Sequence, residues 1–308
     1  MNVLVLSLLF AAVAADGATS AENPLLTELL QKGVTAADGS TVKLPPPILS
    51  DDMDAAAQTK AIARLVPTNS TLEQFFQKSS SAKYYWKIRK IPCGDETFRG
   101  IDLGFVAHGS WQTLTSKKFS ESIFKTKKQQ NEQKGQTISK LGFLTPEETE
   151  TRKLKSHAAD GQEERYFYTT FILFDVVEVS ATRHAVLTKT PSSIVLATRV
   201  DPRFAADAEY PNQWREVTRD VTANLVFGKP QPYVGAGFYA KLTRLKTPDD
   251  TIFIEYHSTF LEPNGWFQGE NTLRAKLPVI AAHEVQEFRG KLARATLDAA
   301  ETGDKAKQ

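Results

Sequence analysis

The sequence lacks the features that would assign it to several common classes. Cys93 is the only cysteine in 308 residues, so no internal disulfide can form. The charges nearly cancel, with 38 Lys and Arg against 36 Asp and Glu, which argues against nucleic-acid binding. After residue 20, no apolar run approaches the ~20 residues that a transmembrane helix needs. We therefore predict no nucleic-acid partner and no transmembrane segment.

Catalytic and cofactor motifs are missing as well. The sequence contains no P-loop, no G-x-S-x-G and no CxxC. Residues 235–240 fit G-x-G-x-x-A, but a strand pattern follows them where the dinucleotide fingerprint needs a helix. Residues 283–287 (HEVQE) begin like a zinc motif, yet Glu287 stands in place of the second histidine ligand. We predict no cofactor and no metal site, and we identify no catalytic residue. Whether the protein is an enzyme stays open.

The N-terminus has the pattern of a signal peptide. Residues 3–13 are apolar apart from Ser7, and the small residues Ala12, Ala14 and Ala15 follow or overlap the end of that run. Such a run before an A-x-A site is typical of signal-peptidase cleavage. We predict that residues 1–15 are a signal peptide and that the protein is exported, to the periplasm or the extracellular space. The alternative is a buried N-terminal strand or helix, because no Lys or Arg precedes the run.

The compartment and the origin follow from the same observations. Disulfides are common in proteins that leave a eukaryotic cell by the secretory route, whereas a bacterial envelope protein often lacks them. An exported chain with one cysteine therefore fits a bacterial, periplasmic or secreted protein better.

The chain divides into an extension, a larger domain and a tail. Residues 16–80 are predicted to be a helical, proline-containing and loosely packed N-terminal extension. Residues 81–298 are predicted to be an α+β domain, and residues 299–308 a disordered tail. Helix starts within the extension are indicated at Asn23 with Pro24, at Asp51 with Asp52, and at Ser70 with Glu73 completing a capping box.

Strand patterns dominate the larger domain. Apolar and β-branched residues indicate strands over residues 84–91, 98–107, 165–174, 176–187, 194–200, 238–245 and 252–261. Short turns join most of them, and a final helix carries apolar residues at helical spacing from Leu277 to Leu292. Residues 201–235 are predicted to be a long connection. The order predicts a curved antiparallel sheet packed against a long C-terminal helix.

The last part of the chain resembles a known superfamily. It reads PYVGAGFYAKLTRL, then IFIEYHSTFLEPNGWF, then a helix that begins with LRAKLP. Over about residues 170–295 this succession resembles the second half of START-type helix-grip lipid-transfer domains. It is also similar to a group of uncharacterised secreted bacterial proteins with EYPNQW, PYVGAGFY and EPNGWF. The resemblance implies an apolar cavity between the sheet and the last helix, and it supplies no catalytic residue. Residues 16–80 and 127–136 depart from the START pattern.

The expected cavity between the sheet and the last helix defines the candidate ligand-binding residues. On the strands they are Phe238, Leu242, Ile254, Tyr256 and Phe260, and on the helix Leu277 and Phe288. Segments 210–235 and 262–272 are predicted to form the mouth of the pocket, because they place amphipathic aromatic residues in predicted loops, namely Tyr210, Trp214, Tyr233 and Trp266.

The predicted function is therefore that of an exported soluble binding protein that holds an apolar small molecule or lipid. The alternative is a non-catalytic structural or interaction protein of the cell envelope with a solid core. The sequence identifies no protein partner for either function.

Overall fold

Most of the chain builds one antiparallel sheet. The computed structural model describes residues 22–36, 38–93, 96–119, 136–154, 162–263, 266 and 272–305. Within these ranges the sheet has eleven strands. They are β3 (Tyr85–Cys93), β4 (Glu96–His108), β5 (Gln136–Phe143), β6 (Gln162–Leu173), β7 (Val177–Lys189), β8 (Ser193–Val200), β9 (Gln213–Arg219), β10 (Leu225–Phe227), β11 (Gln231–Pro232), β12 (Ala236–Arg244) and β13 (Thr251–Glu262). Two short strands, β1 (Val34–Thr35) and β2 (Thr41–Val42), form a separate hairpin.

The long strands pair in the order β5-β6-β7-β8-β12-β13-β4-β3. The first part of β7 pairs with β9 instead of β8, and β10 and β11 both pair with β9. The sheet is therefore extended at one end by a small group of strands. The large antiparallel sheet and the C-terminal helix agree with the α+β class that the strand order predicts.

A long helix covers one face of the sheet, which we call the front face. Helix α6 (Thr272–Lys305) packs Val285, Phe288 and Leu292 into the same apolar cluster as the front-facing residues of the sheet. Pro278 lies inside this helix. The buried Arg289 also anchors α6, because Nε donates to Val106 O at 2.7 Å and Nη1 to Ala82 O at 2.6 Å. The C-terminal helix is thus part of the core.

The N-terminal segment covers the opposite face, which we call the back face. Its helices are α1 (Pro24–Gln31), α2 (Ala55–Ala63) and α3 (Leu72–Phe76). Two short helices, α4 (Trp111–Leu114) and α5 (Pro146–Thr151), follow later in the chain. Leu29, Leu49, Ile62 and Phe75 are all 0% exposed. They pack against back-facing residues of the sheet in two clusters. The expectation of a loosely packed extension was wrong, because this segment packs against the sheet and buries the apolar residues of the back face.

Gly237 shows how closely this segment approaches the sheet. A Cβ atom at Gly237 would lie 2.7 Å from Val34 Cγ2 and 2.9 Å from Leu29 Cδ2. Asn23 fixes the start of α1 on the sheet, because its side chain accepts from Leu26 N and donates to Val186 O, both at 2.9 Å. The absence of a side chain at Gly237 therefore lets α1 sit directly on β12.

Charged side chains are also buried beneath the N-terminal segment. On β12 and β13, Lys241 and Glu255 are register partners. Lys241 Nζ donates to Leu49 O at 2.9 Å and pairs with Asp51 at 2.7 Å. Glu255, which is 0% exposed, accepts from Ile48 N at 2.7 Å. We call Lys241, Glu255, His257 and Asp102 the strap cluster. Lys241 and Glu255 bind residues 48–51 and hold them across the back face.

The pKa values in the strap cluster reflect its opposing charges. Burial alone would lower the pKa of His257, but the carboxylates of Asp102 and Glu255 outweigh it and raise that pKa. Burial alone would raise the pKa of Asp102, but His257 and Arg89 outweigh it and lower that pKa. The contribution of His257 to stability is therefore lost as the pH rises through its folded-state pKa. That of Asp102 is lost as the pH falls below about 4.

Several local predictions differ from the structure. Residues 201–235 are not a plain connection, since they contain β9, β10 and β11. Strand β5 has no counterpart among the predicted strands. The third helix is capped one residue later than predicted, by Thr71 with Gln74 instead of Ser70 with Glu73. The strands were missed because their apolar pattern is weak. The cap was misplaced by one residue because Ser and Thr are both good N-cap residues, and both Glu and Gln complete a capping box.

The C-terminal prediction also differs in part. Helix α6 continues to Lys305, into the range 299–308 for which the composition indicated a disordered tail. The division between extension and domain near residue 80 stays a prediction, as does the signal peptide, which lies outside the described residues. Among the helices described, none combines the length and the hydropathy that crossing a membrane would require.

Candidate functional site

The front layer, meaning the side chains between the front face and α6, brings together most of the predicted ligand-binding residues. Nine of them are buried members of one apolar cluster, and Trp214 is partly buried against it. The nine are Tyr233, Phe238, Leu242, Ile254, Tyr256, Phe260, Trp266, Leu277 and Phe288. Their grouping is as predicted, whereas ligand binding by these residues stays a prediction.

Strand alternation explains why these side chains meet. Alternate residues of a strand point to the same face. On β12 and β13 the register pairs Leu242 with Ile254 and Ala240 with Tyr256, which places all four on the front face. Phe260 continues the same row. The intervening residues of both strands face the N-terminal segment, so the strands are buried on both faces.

Three aromatic rings close one end of the front layer. Tyr233 stacks on Trp266 with ring centroids 5.7 Å apart, and Trp214 meets Trp266 edge-on at 5.7 Å. Tyr233 is 1% exposed and Trp266 2% exposed. These residues were predicted to line an exposed mouth, whereas here they are buried. Residues 264–265 and 267–271, which belong to the predicted mouth, lie outside the described residues.

Tyr210 is not part of the front layer. Its ring stacks on Tyr168 at 4.4 Å, and its hydroxyl donates to Glu148. The guanidinium of Arg152 lies 5.0 Å from the ring centroid. Tyr168 packs with a separate small cluster. The prediction that groups Tyr210 with Trp214, Tyr233 and Trp266 was therefore wrong, because Tyr210 packs on Tyr168 and this separate cluster instead of the front layer.

The other end of the layer is closely packed. Phe288 of α6 meets Phe105 of β4 edge-on at 5.7 Å and Phe119 at 6.2 Å. Farther along the front face, Phe143, Phe167 and Leu187 help to line a space of about 10 Å³, roughly the room of one water molecule. A ligand that enters the layer in these places must displace side chains.

The front layer also contains polar side chains that sequence reasoning missed. Arg183 lies on β7 between the front-facing Ala181 and Ala185 and is 4% exposed. Three hydroxyl residues on β6, β8 and β13 are 0–1% exposed, and their oxygens have no hydrogen-bond partner among the described residues. They are Thr169, Thr198 and Ser258. Polar residues at inward-facing positions of apolar strands were the signal that could have identified them.

A second cavity lies on the back face beside α1, with a volume of about 370 Å³. Its charged lining residues already have counter-charges: Arg199 pairs with Glu28 at 2.8 Å, and His184 lies 2.5 Å from Glu164. Burial lowers the pKa of His184, which favours its neutral form. Because its charges are paired internally, this cavity offers less to recognise a ligand than the front layer does.

The fragment that resembles a zinc motif places three possible ligand residues together on α6. Ligand atoms of His283, Glu284 and Glu287 lie within 4.8 Å of one another. Glu287 also pairs with Lys291 one turn along the helix. Ion pairing along one helix face accounts for Glu287, so we assign no metal site to this group.

Comparisons with known proteins add little to this geometry. No protein-family model matches the chain, and neither does any curated protein. Among solved structures, the chain is similar to human STARD10, a START-domain protein. The TM-score is 0.33 and the sequence identity is 7%, over 84% of this chain and 87% of that one. A similarity this remote does not establish the family of this chain.

Proposed function

We propose that this protein binds an apolar small molecule or lipid in the front layer, between the sheet and α6. The layer collects aromatic and aliphatic side chains from strands, loops and the last helix. Ligand pockets are mostly apolar and contain a few polar groups that orient the ligand. The front layer has that composition.

The unpartnered hydroxyls carry this proposal. Buried polar atoms in proteins are almost always hydrogen-bonded, and an unsatisfied one costs about 1–3 kcal/mol. Thr169, Thr198 and Ser258 place three such oxygens on the front face, in rows otherwise occupied by apolar residues. A bound molecule with polar atoms gives the hydroxyls a reason to be there.

Tryptophan fluorescence tests the proposal directly. We expect a neutral apolar probe such as hexadecanol to shift the emission of the wild-type protein, because Trp214 and Trp266 lie in the layer. Replacing Trp266 with Phe should remove most of that shift while keeping an aromatic ring against Tyr233. The comparison variant is Trp86→Phe, since Trp86 also packs against this cluster but lies on the edge strand β3, at the other end of the sheet from β9.

Two results would count against binding in this layer. One is a flat emission spectrum throughout the titration, together with no small molecule detected by native mass spectrometry. The other is an equal loss of the shift in the Trp86 and Trp266 variants. The first would favour the alternative, a structural or interaction protein of the envelope with a solid core.

We also propose that the protein is exported after cleavage near Ala14 or Ala15. The support is the apolar run at residues 3–13 and the small residues that follow it. N-terminal sequencing of the protein from the secreted or periplasmic fraction should begin at residue 15 or 16. An intact Met1 in a cytoplasmic fraction would contradict export.

A further inference from the structure

Arg183 is a buried cation in an apolar setting. Its neighbours on the same face of β7 are Ala181 and Ala185, whose short side chains leave the guanidinium in the front layer. The register places it opposite Phe167 on β6 and Val200 on β8, both buried and apolar. Only 4% of Arg183 is exposed. The strand pattern thus places one positive charge inside the layer.

The groups around Arg183 do not neutralise it. Its guanidinium carbon lies 5.9 Å from the ring centroid of Phe238. The ionisable groups that act on it are the phenols of Tyr233 and Tyr256. Burial raises the pKa of Tyr233 and so keeps its phenol neutral. Among the described residues, no carboxylate pairs with Arg183, and its Nε atom has no hydrogen-bond partner.

Arg289 provides the contrast within the same molecule. It is equally buried, at 4% exposure, but donates to the carbonyl oxygens of Val106, Ala82 and Lys83 at 2.7, 2.6 and 3.1 Å. A buried arginine with a structural role is expected to have such partners, because an unpaired buried charge is strongly destabilising. Arg183 has no such partner in the part of the chain that the structure describes, so its contacts there give it no structural role.

A ligand can supply what Arg183 lacks. Arginine is charged at any physiological pH, and its planar group of N–H donors matches the oxygens of a carboxylate or a phosphate. The aromatic rings of Phe238, Tyr256 and Tyr233 beside it would contact an apolar body. One end of a bound molecule would then meet the charge and the remainder would meet the apolar layer.

We propose that the ligand is an amphipathic molecule with one acidic headgroup and a long apolar body, and that Arg183 binds the headgroup. This inference rests on the proposed function, since it requires a ligand in the front layer. It goes further by assigning the charge of the ligand and its orientation, with the headgroup at β7 and the apolar body along the sheet.

Three probes of the same chain length test the inference: palmitate, hexadecyl phosphate and hexadecanol, each titrated below its aggregation concentration. We expect the wild-type protein to bind an acidic probe more tightly than hexadecanol. Arg183→Met should lower the affinity for the acidic probe by roughly tenfold to a hundredfold, which is the contribution of a charge-assisted hydrogen bond. The affinity for hexadecanol should stay nearly unchanged. Whichever of palmitate and hexadecyl phosphate binds more tightly shows whether the headgroup is a carboxylate or a phosphate.

The stability of the variants separates a binding role from a structural one. Arg183→Met removes no hydrogen bond to a described residue, so its unfolding midpoint without ligand should equal or exceed that of wild type. Arg289→Met should lower the midpoint, since Arg289 has four carbonyl partners. Arg183→Gln provides a second variant. If both Arg183 variants unfold, Arg183 is structural and the inference is wrong.

The binding outcomes separate the two proposals. Tight binding of hexadecanol and of both acidic probes, unchanged by Arg183→Met, would overturn the role of Arg183 and leave the proposed function intact. Binding of none of the three probes by the wild-type protein would overturn both. Loss of the acidic probes alone in the variant supports the inference.

Discussion

Replacing Phe288 with alanine should lower the free energy of unfolding by about 3–5 kcal/mol, the usual cost of truncating a buried phenylalanine. Phe288 is 4% exposed, and its ring contacts Phe105 of β4 edge-on at 5.7 Å and Phe119 at 6.2 Å. These contacts attach the middle of α6 to the front face. Urea unfolding followed by circular dichroism measures the loss.

The matched control lies on the same helix. Val279 is 69% exposed, so Val279→Ala should change the free energy of unfolding by less than about 0.5 kcal/mol. An unchanged unfolding midpoint for Phe288→Ala would show that α6 does not depend on this contact. It would also remove the main packing argument for a layer between α6 and the sheet.

Replacing Glu255 with alanine should have an effect of similar size on the opposite face, about 3–5 kcal/mol. The Glu255 carboxylate is 0% exposed and accepts hydrogen bonds from Ile48 N at 2.7 Å and Leu49 N at 3.4 Å. It also lies 3.5 Å from His257 Nε2. Its removal leaves two backbone N–H groups without their acceptor and takes one of two neighbouring carboxylates away from the buried His257, which keeps Asp102.

An exposed glutamate provides the control for Glu255. Glu209 is 60% exposed and pairs with Arg152 at 3.1 Å, so Glu209→Ala should cost less than about 1 kcal/mol. Limited proteolysis adds a second measurement, because loss of the strap cluster should expose residues 48–51 before the sheet unfolds. If Glu255→Ala resembles Glu209→Ala in both measurements, the strap cluster does not hold the N-terminal segment.

The apolar and turn patterns of the sequence predicted much of the sheet. The hairpin of β3 and β4, the strands β6 to β8 and the pair β12 and β13 all carry runs of β-branched and aromatic residues that short turns join. Their pairing followed because neighbouring antiparallel strands are usually consecutive in the chain. Strands β9 to β11 were missed because segments of only two to seven residues give no clear alternation.

The candidate site divides in the same way. Apolar residues such as Ile254 and Phe260 were found because alternation places them on one face. Arg183, Thr198 and Ser258 were missed because they are polar, and the candidate residues were chosen by the alternation of apolar residues. Tyr210 was misplaced because a residue in an irregular segment has no periodicity that fixes its direction.

What the sequence by itself determined is local: which segments are strands or helices, where caps and turns fall, and which side chains alternate toward a common face. Only the tertiary structure decided what covers each face. Both faces of β12 and β13 are buried, and an alternating pattern does not say whether α6 or the N-terminal segment covers a given face. That choice, and the lack of a carboxylate beside Arg183 among the described residues, depends on contacts between residues far apart in the chain, which no local pattern encodes.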